Sequence, residues 1–219
     1  MSILVVAAHP DDEVLGCGGV IARKDVPVHI LILGEGITSR YDDPAEAKKE
    51  DIEKLHSQAK EVSKFLGAQE VEMANLPDNR FDTVALLDVV KIIEKKIQDV
   101  QPTTIYTHHG GDLNIDHVVT FRAVLTATRP PSVVKNIYAF EVPSSTEYAF
   151  QKFSPFHPNV FENIEGTLEE KIKAMEIYES EARKFPHPRS PEALRAIAKK
   201  WGSVCGHPAA EAFELIRSI

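Results

Sequence analysis

The sequence predicts an α/β fold: a mostly parallel sheet with helices on both faces and an elaborated C-terminal part. Three observations carry this. Short runs rich in β-branched residues, Ile3 to Ala8 and Val28 to Leu33, read as strands buried on both faces. Strand-like and helix-like segments alternate through the first 141 residues, as right-handed βαβ units require. Beyond that point the alternation stops, and residues 143–158 are rich in Ser, Pro and aromatics.

Taken in order, Ile3 to Ala8 ends abruptly in His-Pro-Asp-Asp and reads as a central parallel strand. Glu13 to Lys24 follows as a helix whose Gly16, Gly18 and Gly19 allow close approach to the sheet. After the strand Val28 to Leu33, the polar segment 34–43 suits a binding loop. Asp43 and Pro44 supply an N-cap and an N1 proline for a helix to Leu66, with Gly67 as its stop. Glu70 to Met73 is the next strand. Thr83 caps a helix to about Val100, with Leu86, Val89, Val90, Ile93 and Ile97 at helical spacing. Thr104 to Thr107 is a strand, Asp116 to Thr128 a helix, and Asn136 to Glu141 a strand after Pro130-Pro131. Thr167 with Glu170 makes a capping box for a helix to about Lys184, and Ser190-Pro191 caps a helix ending at Gly202. Ala209 to Ile219 fits either strand or helix. The expected organisation is one Rossmann-like domain over 1–219, with a parallel core over 1–141 and a substrate-side elaboration over 142–219.

Composition narrows the function. At 219 residues with 43% hydrophobic and 26% charged residues, the chain has the makeup of an ordinary globular protein. Its net charge of -8, unrelieved by any Lys/Arg-rich run, argues against nucleic acid as a partner. Cys17 and Cys205 are too few for a stapled secreted scaffold. The apolar run at the start is too short for a signal-peptide core or a membrane span, so a cytoplasmic location is expected. The sequence leaves a homo-oligomer open.

The chemistry concentrates in two clusters. His9-Pro10-Asp11-Asp12-Glu13 puts an imidazole and carboxylates at the C-terminal end of the first strand, the edge where open α/β sheets bind ligands. Zinc accepts both His nitrogen and Asp oxygen, and His9 and Asp12 fit that role across a tight turn. Taken alone, the acids equally suit a helix N-terminus. The second cluster, His108-His109-Gly110-Gly111-Asp112-Leu113-Asn114-Ile115-Asp116-His117, follows a later strand at the same edge. His117 from it completes a set of two His and one Asp with a position left open for water. His108 and His109 read as surface or supporting imidazoles.

With these motifs in view, the sequence resembles the PIG-L/LmbE-like family of zinc-dependent N-deacetylases. Ala8 to Glu13 matches the family's A-H-P-D-D-E motif, and Asp116-His117 matches the end of its H-x-D-H motif. The resemblance implies that His9, Asp12 and His117 bind one zinc ion per chain, or another divalent metal, and that Asp11 is the general base toward a metal-activated water. It implies a hydrolase of linear amides that removes the acetyl group from an N-acetylated amino sugar, such as N-acetylglucosamine, or a sugar conjugate. Where the family motif begins with His, this chain has Asn114. The oxyanion donor is then Asn114 or His187, and Asp116 orients a neighbour or caps the following helix.

A proline-stiffened loop from Arg183 to Ser190 concentrates cations in an acidic chain. Arg189, His187 and Arg40 are expected to line the substrate mouth and meet hydroxyls or a phosphate; a solvated loop is the alternative. Asn79 and Arg80 follow the third strand and are further substrate-side candidates, although Pro-Asp-Asn is also ordinary turn chemistry. Competing readings are a metal-dependent amidase or phosphatase, or a non-catalytic nucleotide- or carbohydrate-binding protein. Gly16-Cys17-Gly18-Gly19 comes too late after its strand for a dinucleotide fingerprint.

Overall fold

The computed structural model describes residues 1–219. Strand β1 (Ile3–Ala7) lies between β2 (Val28–Gly34) and β4 (Thr104–His108), parallel to both. Beyond β2 comes β3 (Glu70–Leu76), and beyond β4 comes β5 (Asn136–Phe140), all still parallel. The C-terminal strand β7 (Ala210–Ser218) pairs antiparallel with β5 and with β6 (Val160–Asn163). The seven strands run in the order β3-β2-β1-β4-β5-β7-β6, and only β7 points against the others. Strand order therefore reverses between β1 and β4. The crevice beyond their carboxyl ends is where such sheets bind ligands.

Alternation along the strands sends side chains to two cores. Val5, Ala7, Ile30 and Ile32 face helices α1 (Asp12–Ala22), α2 (Lys49–Leu66), α5 (Leu168–Ile177) and α6 (Pro191–Cys205). Leu4, Val6, Leu31 and Leu33 face α3 (Leu86–Val100) and α4 (Ile115–Ala127). A period of two along strands covered on both faces explains the unbroken apolar runs. The glycines of α1 are as tight as expected: a Cβ on Gly16 would lie 2.3 Å from the Phe140 ring, and one on Gly19 2.6 Å from Ile164. The helix bends at Cys17 (φ -146), and there Glu211 of β7 accepts hydrogen bonds of 2.8 Å from both Gly19 N and Val20 N. Residues 142–219 thus add strands to the sheet and helices to one of its faces.

Several helix ends differ from expectation. Asp43 accepts a bond from Ala45 N but caps only a single 3-10 turn, Pro44–Glu46, and α2 begins at Lys49. Thr83 likewise ends a short turn, Phe81–Thr83, and α3 starts after Ala85. The capping box at Thr167 does not form, and the Thr167 hydroxyl donates to the Gly19 carbonyl of bent α1. That helix stops at Ile177 rather than near Lys184, and α6 runs past Gly202 to Cys205, with Gly206 in the left-handed region. Gly67 ends α2 as expected, at φ +81. No helix is long and apolar enough to cross a membrane.

Candidate active site

The turn after β1 carries His9, Asp11 and Asp12, and the loop after β4 carries Asp112 to His117. Both open at the switch point of the sheet. Asn114 caps α4 by accepting a 2.8 Å bond from Asp116 N, which corrects the alternative that Asp116 is the cap. Asp116 is thereby free to face His9, and His117 follows it into the same space.

His9, Asp12 and His117 each offer a ligand atom, and all of these lie within 4.8 Å of one another. Asp12 Oδ2 is 3.4 Å from His9 Nδ1 and 3.4 Å from His117 Nε2. The outward nitrogens meet other carboxylates: His9 Nε2 is 2.9 Å from Asp116 Oδ2, and His117 Nδ1 is 3.2 Å from Asp112 Oδ1. Asp116 is fixed in turn by Phe81 N at 2.9 Å, and Asp112 by the hydroxyls of Ser145 and Thr146. Such outer carboxylates orient metal-ligating imidazoles. Both ring nitrogens of His117 are buried without a well-aligned hydrogen bond, and Nε2 is the one that faces Asp12. A second trio, His9 with Asp78 and Asp116, is also within reach, but its closest contact is the His9 to Asp116 bond just described.

The charges agree with a site that wants a cation. Burial pushes Asp12 up, but the charge of His117 and hydrogen bonds from His117 and His9 outweigh it and hold the carboxyl well below the usual range. Burial pushes His9 down, yet hydrogen bonds to Asp116 and Asp12 hold it well above the ordinary histidine value. The same contest, won by Asp12 and Asp112, takes His117 up to about 9. The proton each imidazole keeps stands where a metal would supply positive charge. Two imidazoles, one of them without a hydrogen-bond partner, and one carboxylate fit zinc.

His108 plays a different part. Its Nε2 accepts from Ala8 N at 2.8 Å, and its ring stacks on His117 with centroids 4.0 Å apart, so it packs behind His117. Accepting through Nε2 makes it neutral, in line with burial pushing its pKa well down.

Asp11 lies beside the trio in left-handed backbone, φ 106, a conformation that costs a non-glycine residue about 1–3 kcal/mol. Glu13 holds it there: one Glu13 oxygen accepts from Asp11 N at 3.1 Å, the other from the buried Tyr178 hydroxyl at 2.7 Å. Burial raises Glu13 to about 7. Burial also pushes Asp11 upward, Arg189 opposes it, and the net is a pKa well above the usual range.

A cavity of about 170 Å³ opens over these groups, and none of its lining residues is hydrophobic. Arg189 reaches in, donating from Nη1 to Asp11 Oδ2 at 2.6 Å and to Glu181 at 3.1 Å, and from Nε to Ser144 at 2.8 Å. Arg40 pairs with the same Glu181. Asn79 also lines the cavity and accepts from Asn114 Nδ2 at 2.9 Å. Two of the expected mouth residues are not there. His187 is outside the lining, its Nδ1 accepting from Arg189 N within its own turn, and exposed Arg80 is likewise outside it.

Sequence reasoning assigned no role to Asp78, Asp112 or Glu181. Asp112 lies inside the second cluster, and the turn at Asp78 does exist, Arg80 N donating to the Pro77 carbonyl at 3.3 Å, while the Asp78 carboxylate accepts from distant Ser39 N at 3.0 Å. Glu181 carried no local signal.

The sequence model of the family described as PIG-L, GlcNAc-PI de-N-acetylase, matches residues 4–128, more than half of the chain. A protein of Escherichia coli K12 described as an uncharacterized deacetylase, YaiS, is 27% identical over 81% of this chain and 90% of its own. Among solved structures, the N,N'-diacetylchitobiose deacetylase of Pyrococcus horikoshii superposes with a TM-score of 0.77 at 20% identity, over 99% of this chain and 84% of that one. GalB of Pseudomonas putida KT2440, a 4-carboxy-2-hydroxymuconate hydratase, gives 0.76 at 21% identity, over 100% of this chain and 97% of that one. At these identities the two structures show a shared fold, and the second shows that the fold also hosts a hydratase.

Proposed function

The chain belongs to the PIG-L (GlcNAc-PI de-N-acetylase) family, and from that premise we propose that it is a metal-dependent hydrolase removing the acetyl group from the nitrogen of an N-acetylated sugar. The single observation that carries the reading is the convergence of His9, Asp12 and His117, with Asp11 beside them and a wholly polar cavity above. A zinc ion, or another divalent cation held there, would polarise a carbonyl and lower the pKa of water.

The chain's own residues do the rest. Asp11 keeps Oδ2 on Arg189 and lines the cavity, where its carboxylate takes a proton from the attacking water and returns it to the leaving amine nitrogen. Its raised pKa suits both transfers, since a carboxyl closer to neutrality holds a proton more readily. Asn114, oriented by Asp116 N and Asn79, has one Nδ2 hydrogen left for the carbonyl oxygen as it becomes negative. His187, outside the cavity, is the weaker candidate for that task.

The cavity favours a neutral sugar over a phosphorylated one. Arg40 and Arg189 are already neutralised by Glu181 and Asp11, and Asp78 adds a further negative charge to the lining. Paired guanidiniums and carboxylates side by side offer donors and acceptors to hydroxyls, while a phosphate would meet net repulsion. Acetate release measured on N-acetylglucosamine, diacetylchitobiose and a nucleotide-diphosphate conjugate tests this. The expected order places the uncharged sugars above the conjugate, and no acetate from any N-acetyl sugar counts against the reading. Arg189→Ala is expected to weaken turnover of charged and uncharged substrates alike; a loss confined to the conjugate would point to phosphate recognition.

A further inference from the structure

The segment from Pro143 to Pro158 walls the site without an α-helix or strand of its own. Ser145 and Thr146 bind the two oxygens of Asp112, the carboxylate behind His117, and Ser144 accepts from Arg189. Its far end is tied to the buried ring of His109. His109 Nδ1 lies 2.8 Å from Glu214 Oε2 on β7, and Nε2 lies 2.7 Å from the carbonyl oxygen of Ser154. The other Glu214 oxygen accepts the amide of His157, so ring, strand and segment form one knot.

A deprotonated carboxylate and a carbonyl have no hydrogen to give. A neutral imidazole donates from one nitrogen only, so both bonds are made together only by the imidazolium. We propose that His109, as a cation, is the latch that holds residues 143–158 over the site, a positioning residue whose deprotonation releases the wall that steadies Asp112 and Arg189. A Cβ on Gly111 would lie 1.9 Å from the Ser154 oxygen, so a side chain there is incompatible with the closed latch. The charged groups acting on His109 are Glu214 from β7 and Asp112 from its own loop, and His157 from the segment acts on Glu214.

Burial disfavours the cation, but the bonds to Glu214 and Ser154 outweigh it and raise the pKa of His109 above the ordinary value. The contribution of the latch is therefore complete below about pH 6.5, the unfolded histidine value, and is lost as the pH rises through the raised value in the folded chain.

Three readouts on the full chain test the latch. Long-range nitrogen NMR of the imidazoles, with His109→Gln for assignment, is expected to show both nitrogens of His109 protonated at pH 7. Trypsin cleavage after exposed Lys152, corrected by an unfolded peptide, is expected to accelerate about tenfold between pH 6.5 and 9.5, as loss of a charge-assisted hydrogen bond implies. His109→Gln is expected to be cut fast throughout, and Glu214→Gln to move the transition to lower pH. In the activity profile, which alone rests on the deacetylase reading, the variant lacks the fall that the wild type shows over that range. A neutral His109 at pH 7, or the same cleavage profile in wild type and His109→Gln, overturns the latch. Absence of turnover on every acetylated sugar would instead count against the proposed reaction and leave the first two readouts to decide.

Discussion

Where His9, Asp12 and His117 meet, both imidazoles have a carboxylate of their own, Asp116 for one and Asp112 for the other, and both carboxylates are buried and tied down in turn. Where Arg40 and Arg189 meet, both cations pair with the carboxylate of Glu181, Arg189 also holding Asp11, and their side chains are 39% and 23% exposed. The first corner is built to hold one shape. The second can trade one of its bonds for a substrate hydroxyl, because the partner left behind remains satisfied by the other arginine. One cavity thus combines a rigid corner with a compliant rim, the division that the proposed function requires of chemistry and recognition.

Substitutions at the fixed corner should therefore hurt turnover, and those at the rim should hurt binding. The largest effect is expected at Asp11: Asp11→Asn should lower kcat by about 10²- to 10⁴-fold, the range for a general base, with KM little changed. A rise in KM with kcat intact would move Asp11 to the rim. Asn114→Asp comes next, because the carboxylate keeps the helix cap while losing the donor. Its kcat should fall by about 10²- to 10³-fold at an unchanged melting temperature. Asp116→Asn leaves His9 without its acceptor charge and should cost about 10- to 100-fold in metal affinity or activity, read by competition with a chelator and by kcat. The smallest effect belongs to the rim. Arg40→Ala should raise KM by no more than about fivefold with kcat preserved, since partly exposed ion pairs contribute roughly 0–1 kcal/mol. A loss of kcat there as large as at Asp116 would erase the contrast between the corners.

The same contrast explains what was legible in the sequence. His9, Asp11 and Asp12 occupy one tight turn, and Asn114, Asp116 and His117 occupy one helix start. Strand-to-helix alternation alone puts both at the same edge of the sheet. The rim is assembled from residues near 40, 79, 144, 181 and 189, joined by tertiary contacts that no periodicity announces. Arg40, Asn79 and Arg189 were recognisable as polar groups on loops. Glu181, which links the two arginines, and Asp78 were not. His187 and Arg80, equally polar and equally on loops, lie outside the lining, because a loop's sequence does not fix the direction of its side chains. Helix starts failed similarly: Asp43 and Thr83 are sound capping residues, but each satisfies a short turn before the packed helix begins. The β7 strand, ambiguous in isolation, is settled by the open edge of β5 that it covers.

The central claim is that two imidazoles and one carboxylate grip a single cation. Metal content should be measured by elemental analysis, alongside zinc titration calorimetry, on protein purified without chelator, for wild type and for Asp12→Ala and His117→Ala. About one divalent ion per chain in the wild type, lost in both variants while their folded spectra persist, is the predicted result. A full equivalent of metal retained in either variant, or none bound by a folded wild type given excess zinc, would contradict it.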